Sequence, residues 1–202
     1  VEAVARIVHG PPGREMAALL RGEDRARRLG FALMRLQAEG PGWARTFVAE
    51  LDGRPVGVLQ WRRGSEPVLP PWPKLARVTI RALGIAGALR ALRNDGLRRR
   101  VNPSPPAGAF HLEELHVLPE VRGRGIGARL LAHAEEIARA QGHPTMSLVT
   151  HAQNPAQALY RRAGFEETER REDPEYERLT GVSGRILMTK RLVPRLGDQR
   201  TA

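Results

Sequence analysis

The chain of 202 residues contains no cysteine, and this absence excludes several kinds of chemistry at once. Disulfides, thiolate nucleophiles, acyl-cysteine relays and cysteine-ligated zinc all need a thiol. The six histidines show no closely spaced pair beside a carboxylate. We therefore predict no zinc site and no other metal centre.

Long hydrophobic runs are also missing, because no apolar stretch approaches the roughly 20 residues that a helix needs to cross a bilayer. The first ten residues, VEAVARIVHG, lack the basic and then apolar pattern of a signal peptide. Hydrophobic residues make up 41% of the chain, which excludes wholesale disorder. We expect a soluble, cytoplasmic protein with one domain over residues 1–202, of which residues 193–202 form a flexible tail.

Aromatic residues are scarce, at 4%, and Lys74 and Lys190 are the only lysines. The net charge of +11 therefore comes almost entirely from arginine. Proteins that bind single-stranded nucleic acid stack bases on aromatic side chains, which this chain has in small supply. An arginine bias with abundant Ala and Gly can also reflect genome composition, so the charge alone does not predict a nucleic-acid partner.

The first 61 residues read as the start of an α/β domain. Apolar residues at helical spacing predict a helix over Glu23–Gln37 that ends before Gly40. Residues 45–51 and 55–61 then alternate as two strands. The Asp52-Gly53 pair between them predicts a tight hairpin turn with positive φ.

Residues 62–108 form a basic segment before the next predicted strand, with ten Arg and Lys against two acidic residues. Prolines at 67, 70, 71 and 73 exclude a regular element there, and prolines at 103, 105 and 106 close the segment. Between them an apolar stripe at helical spacing predicts a helix that Gly84 or Gly87 could split; its members are Leu75, Val78, Ala82, Ile85, Ala86, Leu89 and Leu92. Such a helix either lies on a membrane surface or packs its stripe on the domain, and the lack of Trp and Phe on the stripe favours packing.

The second half alternates strands and helices. The predicted strands are Phe110–Val117, Thr145–Thr150, one from Phe165 and Arg185–Leu192. The predicted helices are Gly125–Gln141 and Pro155–Ala163, the latter with proline at its start and Gly164 just past its end. This order predicts an α/β fold that binds its ligand beyond the carboxyl end of a strand.

A glycine-rich turn over residues 121–128 joins the first of these strands to its helix. Glycines at 123, 125 and 127 let the backbone approach a phosphate, the helix start offers free N–H groups, and Arg122 and Arg124 add charge. The turn could instead bind nothing, or could be a loose dinucleotide motif. The dinucleotide motif requires an acidic residue about 20 positions on, and Met146–His151 contains none. A Walker loop is excluded because no Gly-Lys-Ser/Thr follows.

Two runs, Leu112 to Gly127 and Asn154 to Phe165, resemble the GCN5-related N-acetyltransferase (GNAT) superfamily. The matching positions follow a strand that ends in Val-x-Pro, or surround a Leu-Tyr helix; they are Arg122, Gly125, Gly127, Asn154, Leu159, Tyr160, Gly164 and Phe165. The resemblance covers residues 110–192 well and 14–61 loosely. It leaves out 62–108, where family members are usually shorter.

The resemblance implies a mixed, twisted central sheet flanked by helices, with acetyl-CoA as the acyl donor. Main-chain N–H groups of the turn would bind the pyrophosphate; these residues are Arg122, Gly123, Arg124, Gly125, Ile126, Gly127 and Ala128. The pantetheine arm would pair beside His116, Val117 and Leu118, in a gap where the strands carrying Val117 and Leu148 splay apart. Asn154 would cap its helix and also contact the cofactor.

The resemblance also implies the catalytic groups. A backbone N–H near Val117 would polarise the thioester carbonyl, and Tyr160 would protonate the leaving thiolate. Glu113 is the first choice for the base, through a water, because polyamine acetyltransferases carry a similar Leu-Glu-Asp run. Its rivals are Glu114, His116, His111 and His151. Since side chains alternate along a strand, Glu113 and Glu114 are not expected to face the same side.

The expected activity is therefore transfer of acetyl from acetyl-CoA to a primary amine of a small molecule or peptide, by direct attack. The alternative is a non-catalytic module that senses acyl-CoA or binds nucleic acid. Residues 62–108 are expected to shape the acceptor site, and their arginines to favour an acidic or phosphate-bearing acceptor. The sequence leaves open whether the chain forms a homodimer.

Overall fold

Six strands form one sheet in the computed structural model, which describes residues 1–9, 14–66 and 71–192. The strands are β1 (Thr46–Leu51), β2 (Arg54–Arg63), β3 (Phe110–Val117), β4 (Thr145–His151), β5 (Glu166–Glu172) and β6 (Gly184–Arg191). The helices are α1 (Glu2–His9), α2 (Arg14–Leu20), α3 (Glu23–Ala38), α4 (Trp72–Val101), α5 (Ile126–Ala140), α6 (Gln157–Arg162) and α7 (Pro174–Thr180). The tail predicted over 193–202 lies outside the described residues.

The strand order in the sheet is β1-β2-β3-β4-β6-β5, and every neighbouring pair is antiparallel except β3 and β4. The β1–β2 hairpin turns at Asp52 and Gly53, whose φ values of 52° and 72° confirm the predicted turn. The predicted α/β class, a mixed sheet flanked by helices, is confirmed.

Apolar side chains on the two faces of the sheet build two separate cores. On one face, α5 and α6 pack Leu131, Ala134 and Tyr160 against Phe110 and Ile186 of the sheet. On the other face, α1 and α3 bury a smaller cluster that includes Ile7 and Met34 against Val58.

A β-bulge in β3 places its two adjacent glutamates on the same face of the sheet. Leu115 pairs with Leu59 and Leu112 pairs with Trp61, so β3 holds one more residue than β2 between these pairs. The expectation that Glu113 and Glu114 face opposite sides was therefore wrong, because a bulge interrupts the strand alternation. Both lie on the face covered by α1 and α3.

Helix α4 corrects two expectations for the basic segment. Pro73 lies in its first turn, where no intrahelical N–H bond is required, so this proline does not exclude a regular element. Gly84 has φ 71° and ψ 173° and kinks the helix, as predicted for this position. The predicted packing of the apolar stripe fails in its second half, since Ile85, Leu89 and Leu92 are all exposed.

The buried side of α4 is instead formed by Gly87, Asn94 and Val101. The Asn94 side chain donates a hydrogen bond from Nδ2 to the Leu19 carbonyl of α2 at 2.6 Å. Helix α4 packs on α2, α3 and α7. Over the described residues, no helix is both long and apolar enough to span a membrane.

Three helices were absent from the sequence prediction: α1, α2 and α7. The sequence does carry a signal for α7, because Asp173 accepts hydrogen bonds from two backbone N–H groups at the helix start and Gly181 ends the helix at φ 74°. Helix α6 starts at Gln157, two residues later than predicted. The residues before it form a turn.

Candidate active site

A gap opens in the centre of the sheet between β3 and β4. These parallel strands pair only where Phe110–Leu112 lies beside Met146–Leu148. Both strands continue beyond that point, to Val117 and His151, without pairing to each other. The expected divergence of the strands carrying Val117 and Leu148 is therefore confirmed, and it leaves backbone groups free along one edge of each strand.

The main chain of Val117 points into this gap. The N–H of Leu118 donates to the Val56 carbonyl of β2 at 2.9 Å. Since successive N–H groups of an extended strand point to opposite edges, the N–H and C=O of Val117 face the gap. Arg122 Nε donates to that carbonyl at 3.0 Å, which ties the following loop to the strand end.

The glycine-rich turn leads from β3 into α5 and presents a row of free N–H groups. Gly123 and Gly125 have φ of 78° and 77°, the left-handed region that favours glycine. Within the described ranges, the N–H groups of residues 123–128 donate to no backbone or side-chain acceptor. Converging free N–H groups at the start of a helix form an anion site.

Arg122 departs from the sequence expectation, because its own N–H donates to the Pro119 carbonyl at 3.3 Å. This bond closes the short 3-10 turn over Pro119–Val121. The group of free amides therefore begins at Gly123. Gly127 lies near the other end of these free amides. A Cβ atom added at Gly127 would lie 3.1 Å from Leu159 Cδ2, so α5 approaches α6 closely at this position.

Tyr160 of α6 is buried and lies against the same core as β3 and β4. Its ring packs edge-on to Phe165 with 6.3 Å between centroids. The hydroxyl makes no hydrogen bond to any residue in the described part of the chain. Burial is the main cause that raises the pKa of Tyr160 to about 12, and the charge of Glu114 acts in the same direction. This hydroxyl is thus a protonated donor at neutral pH.

Glu113 is held in an ion pair. Arg62 Nε of β2 donates to Glu113 Oε2 at 2.6 Å, and the His111 ring lies 3.9 Å from the same oxygen. Burial raises the pKa of Glu113, and the Arg62 charge only partly opposes this. Burial and the Arg62 charge lower the pKa of His111 to about 3, so this ring is neutral and bonds Ser147 Oγ at 2.9 Å.

Glu114 is bonded to a second histidine. His116 Nε2 lies 2.8 Å from Glu114 Oε2. Burial pushes the pKa of Glu114 up, but the hydrogen bond and charge of His116 outweigh it, and the net pKa is lowered. His9, at the end of α1, belongs to the same electrostatic cluster; burial lowers its pKa and the charge of Glu114 opposes that shift.

His151 and Asn154 lie at the end of β4 and in the turn after it. His151 Nδ1 is buried without a partner among the described residues, and burial lowers the pKa of this ring. Asn154 Oδ1 accepts from the Ala156 N–H at 2.9 Å, while its Nδ2 donates to Thr150 Oγ1 at 2.6 Å. Asn154 therefore closes the turn before α6, and the prediction that it caps the helix itself was wrong, because the N-cap residue is Ala156, which makes no side-chain cap hydrogen bond.

Two participants of this region were missed by the sequence reasoning. Arg62 had been assigned to the basic segment, and its position on the alternating strand β2 is the signal that could have placed it beside β3. His9 carried no such signal, because its approach to Glu114 depends on how α1 packs on the sheet. Within the described ranges, no three His, Asp or Glu side chains cluster in a way that could hold a metal.

Comparisons with known proteins agree with this geometry. The family model described as "Acetyltransferase (GNAT) family" matches residues 21–165. A comparison with curated protein sequences gives no match.

Solved structures share the fold over nearly the whole chain. PH1933 from Pyrococcus horikoshii OT3 is 16% identical, with a TM-score of 0.58 over 95% of this chain and 90% of that one. A structure described as an acetyltransferase is 20% identical, with a TM-score of 0.52 over 95% and 94%. The PaiA N-acetyltransferase of Thermoplasma acidophilum, solved in complex with coenzyme A, is 16% identical, with a TM-score of 0.50 over 95% and 92%.

The resemblance drawn from the two sequence motifs is thus confirmed. The family model spans well over half of the chain, and both motifs lie at the gap or beside it. The protein therefore belongs to the GNAT family of acetyltransferases.

Proposed function

We propose that this protein transfers an acetyl group from acetyl-CoA to a primary amine of a small molecule or peptide by direct attack. The observation that carries the proposal is the gap between β3 and β4. It has free amides at one end, the main chain of Val117 along one wall and the buried Tyr160 nearby. The coenzyme A found in the PaiA N-acetyltransferase of the same fold supports the choice of donor.

The free amides of Gly123 to Ala128 fit a diphosphate, since they are unbonded and lie at a helix start. The Arg124 side chain adds a positive charge, whereas Arg122 serves by fixing the turn to Val117. Acetyl-CoA supplies the thioester whose acetyl group is transferred. The main chain of Val117 faces the gap and would pair with its pantetheine arm, whereas the N–H groups of His116 and Leu118 point to β2 and that of Leu118 is bonded to the Val56 carbonyl. Asn154 forms the turn before α6.

Two groups of the chain would act on the reacting atoms. The Val117 N–H, which faces the gap, would donate to the oxygen on which charge develops. Tyr160 would donate its proton to the departing sulfur, because its raised pKa keeps the hydroxyl protonated and no neighbour in the described residues engages it.

For the base, the contacts favour Glu114 with His116 over Glu113. Glu113 Oε2 already accepts a hydrogen bond from Arg62 Nε, so this oxygen is engaged by a neighbouring strand. Glu114 is ionised, and its negative charge contributes to the raised pKa of Tyr160. Its bond to His116 Nε2 leaves His116 Nδ1 to receive the amine proton, so the pair can act as one unit.

The acceptor side would include the end of α4. The charge of Arg98 is close enough to Glu113 to oppose the rise in its pKa. We therefore retain the proposal that residues 62–108 shape the acceptor site and that their arginines favour an acidic or phosphate-bearing amine. Residues 62–108 would contact the acceptor through the last turns of α4, since the middle of this helix packs on α2 and α3.

The test is an acetyl-transfer assay over polyamines, amino acids, N-terminal peptides and aminoglycosides, with wild type and Tyr160→Phe. We expect turnover with at least one amine, and a fall in kcat of about 100-fold in the variant, the usual contribution of a general acid. Coenzyme A affinity, measured by calorimetry, should stay unchanged. Binding of acetyl-CoA without turnover on any amine would favour the acyl-CoA sensor instead.

A further inference from the structure

Large apolar side chains that face solvent are concentrated on α4. Of the eight such residues in the described part of the chain, five belong to this helix; they are Trp72, Ile80, Ile85, Leu89 and Leu92. The exposure is 70% for Ile85, 63% for Leu89 and 51% for Leu92. A soluble surface scatters such residues singly, so a group of them on one element indicates an interaction face.

The three most carboxyl-terminal of these residues form one stripe. Ile85, Leu89 and Leu92 are spaced i, i+4 and i+7, which places them on the same side of a helix. The opposite side carries the buried Gly87 and Asn94. Because Asn94 is bonded to the Leu19 carbonyl, the rotation of the helix is fixed and the stripe points away from the protein.

An arginine-lined cavity of about 640 Å³ adjoins this stripe, with Leu89 common to both. It lies between α2, α4 and α7, and its arginines are Arg21, Arg90, Arg93, Arg100 and Arg178. Arg100 is bonded to Glu175 at 3.3 Å. The other four form no ion pair or side-chain hydrogen bond with any residue that the structure describes. Several unpaired guanidinium groups around one cavity are suited to bind phosphate.

We propose that this face of α4 docks the protein on an anionic phospholipid surface. Ile85, Leu89 and Leu92 enter the boundary between headgroups and acyl chains, and the arginine cavity beside Leu89 receives a lipid phosphate. An apolar stripe flanked by arginines is the pattern of helices that lie in the membrane interface. Charge complementarity selects the occupant, because the helix carries eight basic residues and one acidic residue.

A second copy of the chain fits this face poorly. Pairing two α4 helices through their stripes would bring two rows of unpaired arginines together, and like charges repel. An exposed apolar stripe on a helix also needs no complementary groove in order to enter lipid. The sequence favoured a stripe that packs on the domain, whereas in the tertiary structure the second half of the stripe faces solvent.

The test is co-sedimentation of the full chain with vesicles. We expect binding to vesicles that contain phosphatidylglycerol, little binding to pure phosphatidylcholine vesicles, and weaker binding as salt rises. The double variant Ile85→Asn with Leu89→Asn should bind about tenfold more weakly, while Val48→Asn, an exposed apolar residue on β1, serves as the matched control. Arg90→Gln and Arg93→Gln should each weaken binding about fivefold, against Arg54→Gln on β2 as the control.

Three results would overturn the proposal. The first is equal binding to both kinds of vesicle, or to neither. The second is a pair of results: soluble glycerol 3-phosphate abolishes vesicle binding, and the Ile85 and Leu89 double variant binds vesicles like wild type. The cavity would then be a site for free phosphate. The third is a dimer in sedimentation equilibrium that the same double variant dissociates.

Discussion

At the scale of single residues, Glu113 and Glu114 show how bonding partners separate two identical side chains. The bulge in β3 brings both carboxylates to one face, where Arg62 neutralises the first and His116 bonds the second. The pKa of Glu113 is raised because burial outweighs the Arg62 charge, whereas the pKa of Glu114 is lowered because its neighbours, His116 first among them, outweigh burial.

This difference leads to a paired prediction. Glu114→Gln should lower kcat/KM about 100-fold at neutral pH, because a neutral amide cannot stabilise the positive charge that His116 gains when its Nδ1 takes the amine proton. Glu113→Gln should leave kcat within about threefold but should lower the free energy of unfolding by about 2 kcal/mol, since Arg62 loses its carboxylate partner. Steady-state kinetics and urea unfolding of both variants decide the matter. The reverse pattern would restore Glu113 as the base.

A buried network at Glu15 gives a pH prediction. Glu15 of α2 accepts hydrogen bonds from Arg185 of β6, at 2.9 Å and 3.1 Å, and from the Tyr176 hydroxyl of α7. Burial raises the pKa of Glu15, but Arg185 and Tyr176 outweigh it and the net pKa lies below its ordinary 4.5. A depressed carboxyl pKa stabilises the fold above the unfolded-state value, and this contribution is lost as the pH falls through the folded-state value.

Glu15→Gln should therefore lower the free energy of unfolding by about 3 kcal/mol at pH 7, because it leaves a buried guanidinium uncompensated. The difference from wild type should shrink as the pH falls below about 4.5. The control is Glu2→Gln, which breaks an exposed ion pair with Arg35 and should cost less than about 1 kcal/mol. Urea unfolding from pH 7 to pH 3 measures both variants. A difference that does not depend on pH would show that the charge of Glu15 does not act in this way.

At the scale of elements, the kink in α4 divides this helix into two parts with different surroundings. The first part packs on α3, through Ala82 and Leu83. The second runs beside α2 and α7, where Leu97 and Val101 join a core with Tyr176. The backbone of Gly84, at φ 71° and ψ 173°, makes this change of direction in a region open almost only to glycine.

Two glycines of α4 should consequently respond in opposite ways to alanine. Gly84→Ala should lower the free energy of unfolding by about 2 kcal/mol, because a Cβ is strained at that backbone conformation. Gly96→Ala should raise it by about 0.5 kcal/mol or more, since alanine favours a helix and nothing lies within 4 Å of the added atom. Thermal unfolding of both variants is the measurement. A stabilising Gly84→Ala would mean that the helix is straight in solution.

At the scale of the whole molecule, one sheet is divided into two parts that share little pairing. β1, β2 and β3 form one part, β4, β6 and β5 the other, and three residue pairs of the β3–β4 ladder join them. The gap between β3 and β4 lies beyond that ladder. Helix α5, which follows β3, borders the gap from the first part of the sheet, and α6, which follows β4, borders it from the second part. A ligand in the gap would contact both parts, so its binding is linked to the stability of the complete fold.

Acetyl-CoA should therefore raise the melting temperature. At 100 times its Kd the expected stabilisation is about 2.7 kcal/mol, or roughly 5 to 10 °C for a domain of this size. Pantetheine, which lacks the diphosphate, should give a much smaller shift at the same concentration, because it leaves the amides of residues 123–128 unbonded. Differential scanning fluorimetry makes the comparison. Equal shifts for the two compounds would remove the glycine-rich turn from the binding site.

The sequence by itself determined most of the region from β3 to α6: β3 was predicted with its correct bounds, and the turns at Gly123 and Gly125 and at Asn154 follow from local chemistry. Such features depend on backbone preferences within a few residues of each other. Only the tertiary structure decided what depends on distant contacts. The bulge that turns Glu113 and Glu114 to one face requires the register of β2, and the partners Arg62 and His9 come from far along the chain. The outward face of α4 was decided in the same way, because an amphipathic pattern shows that a helix has two faces, while packing on α2 and α7 selects the one that is buried.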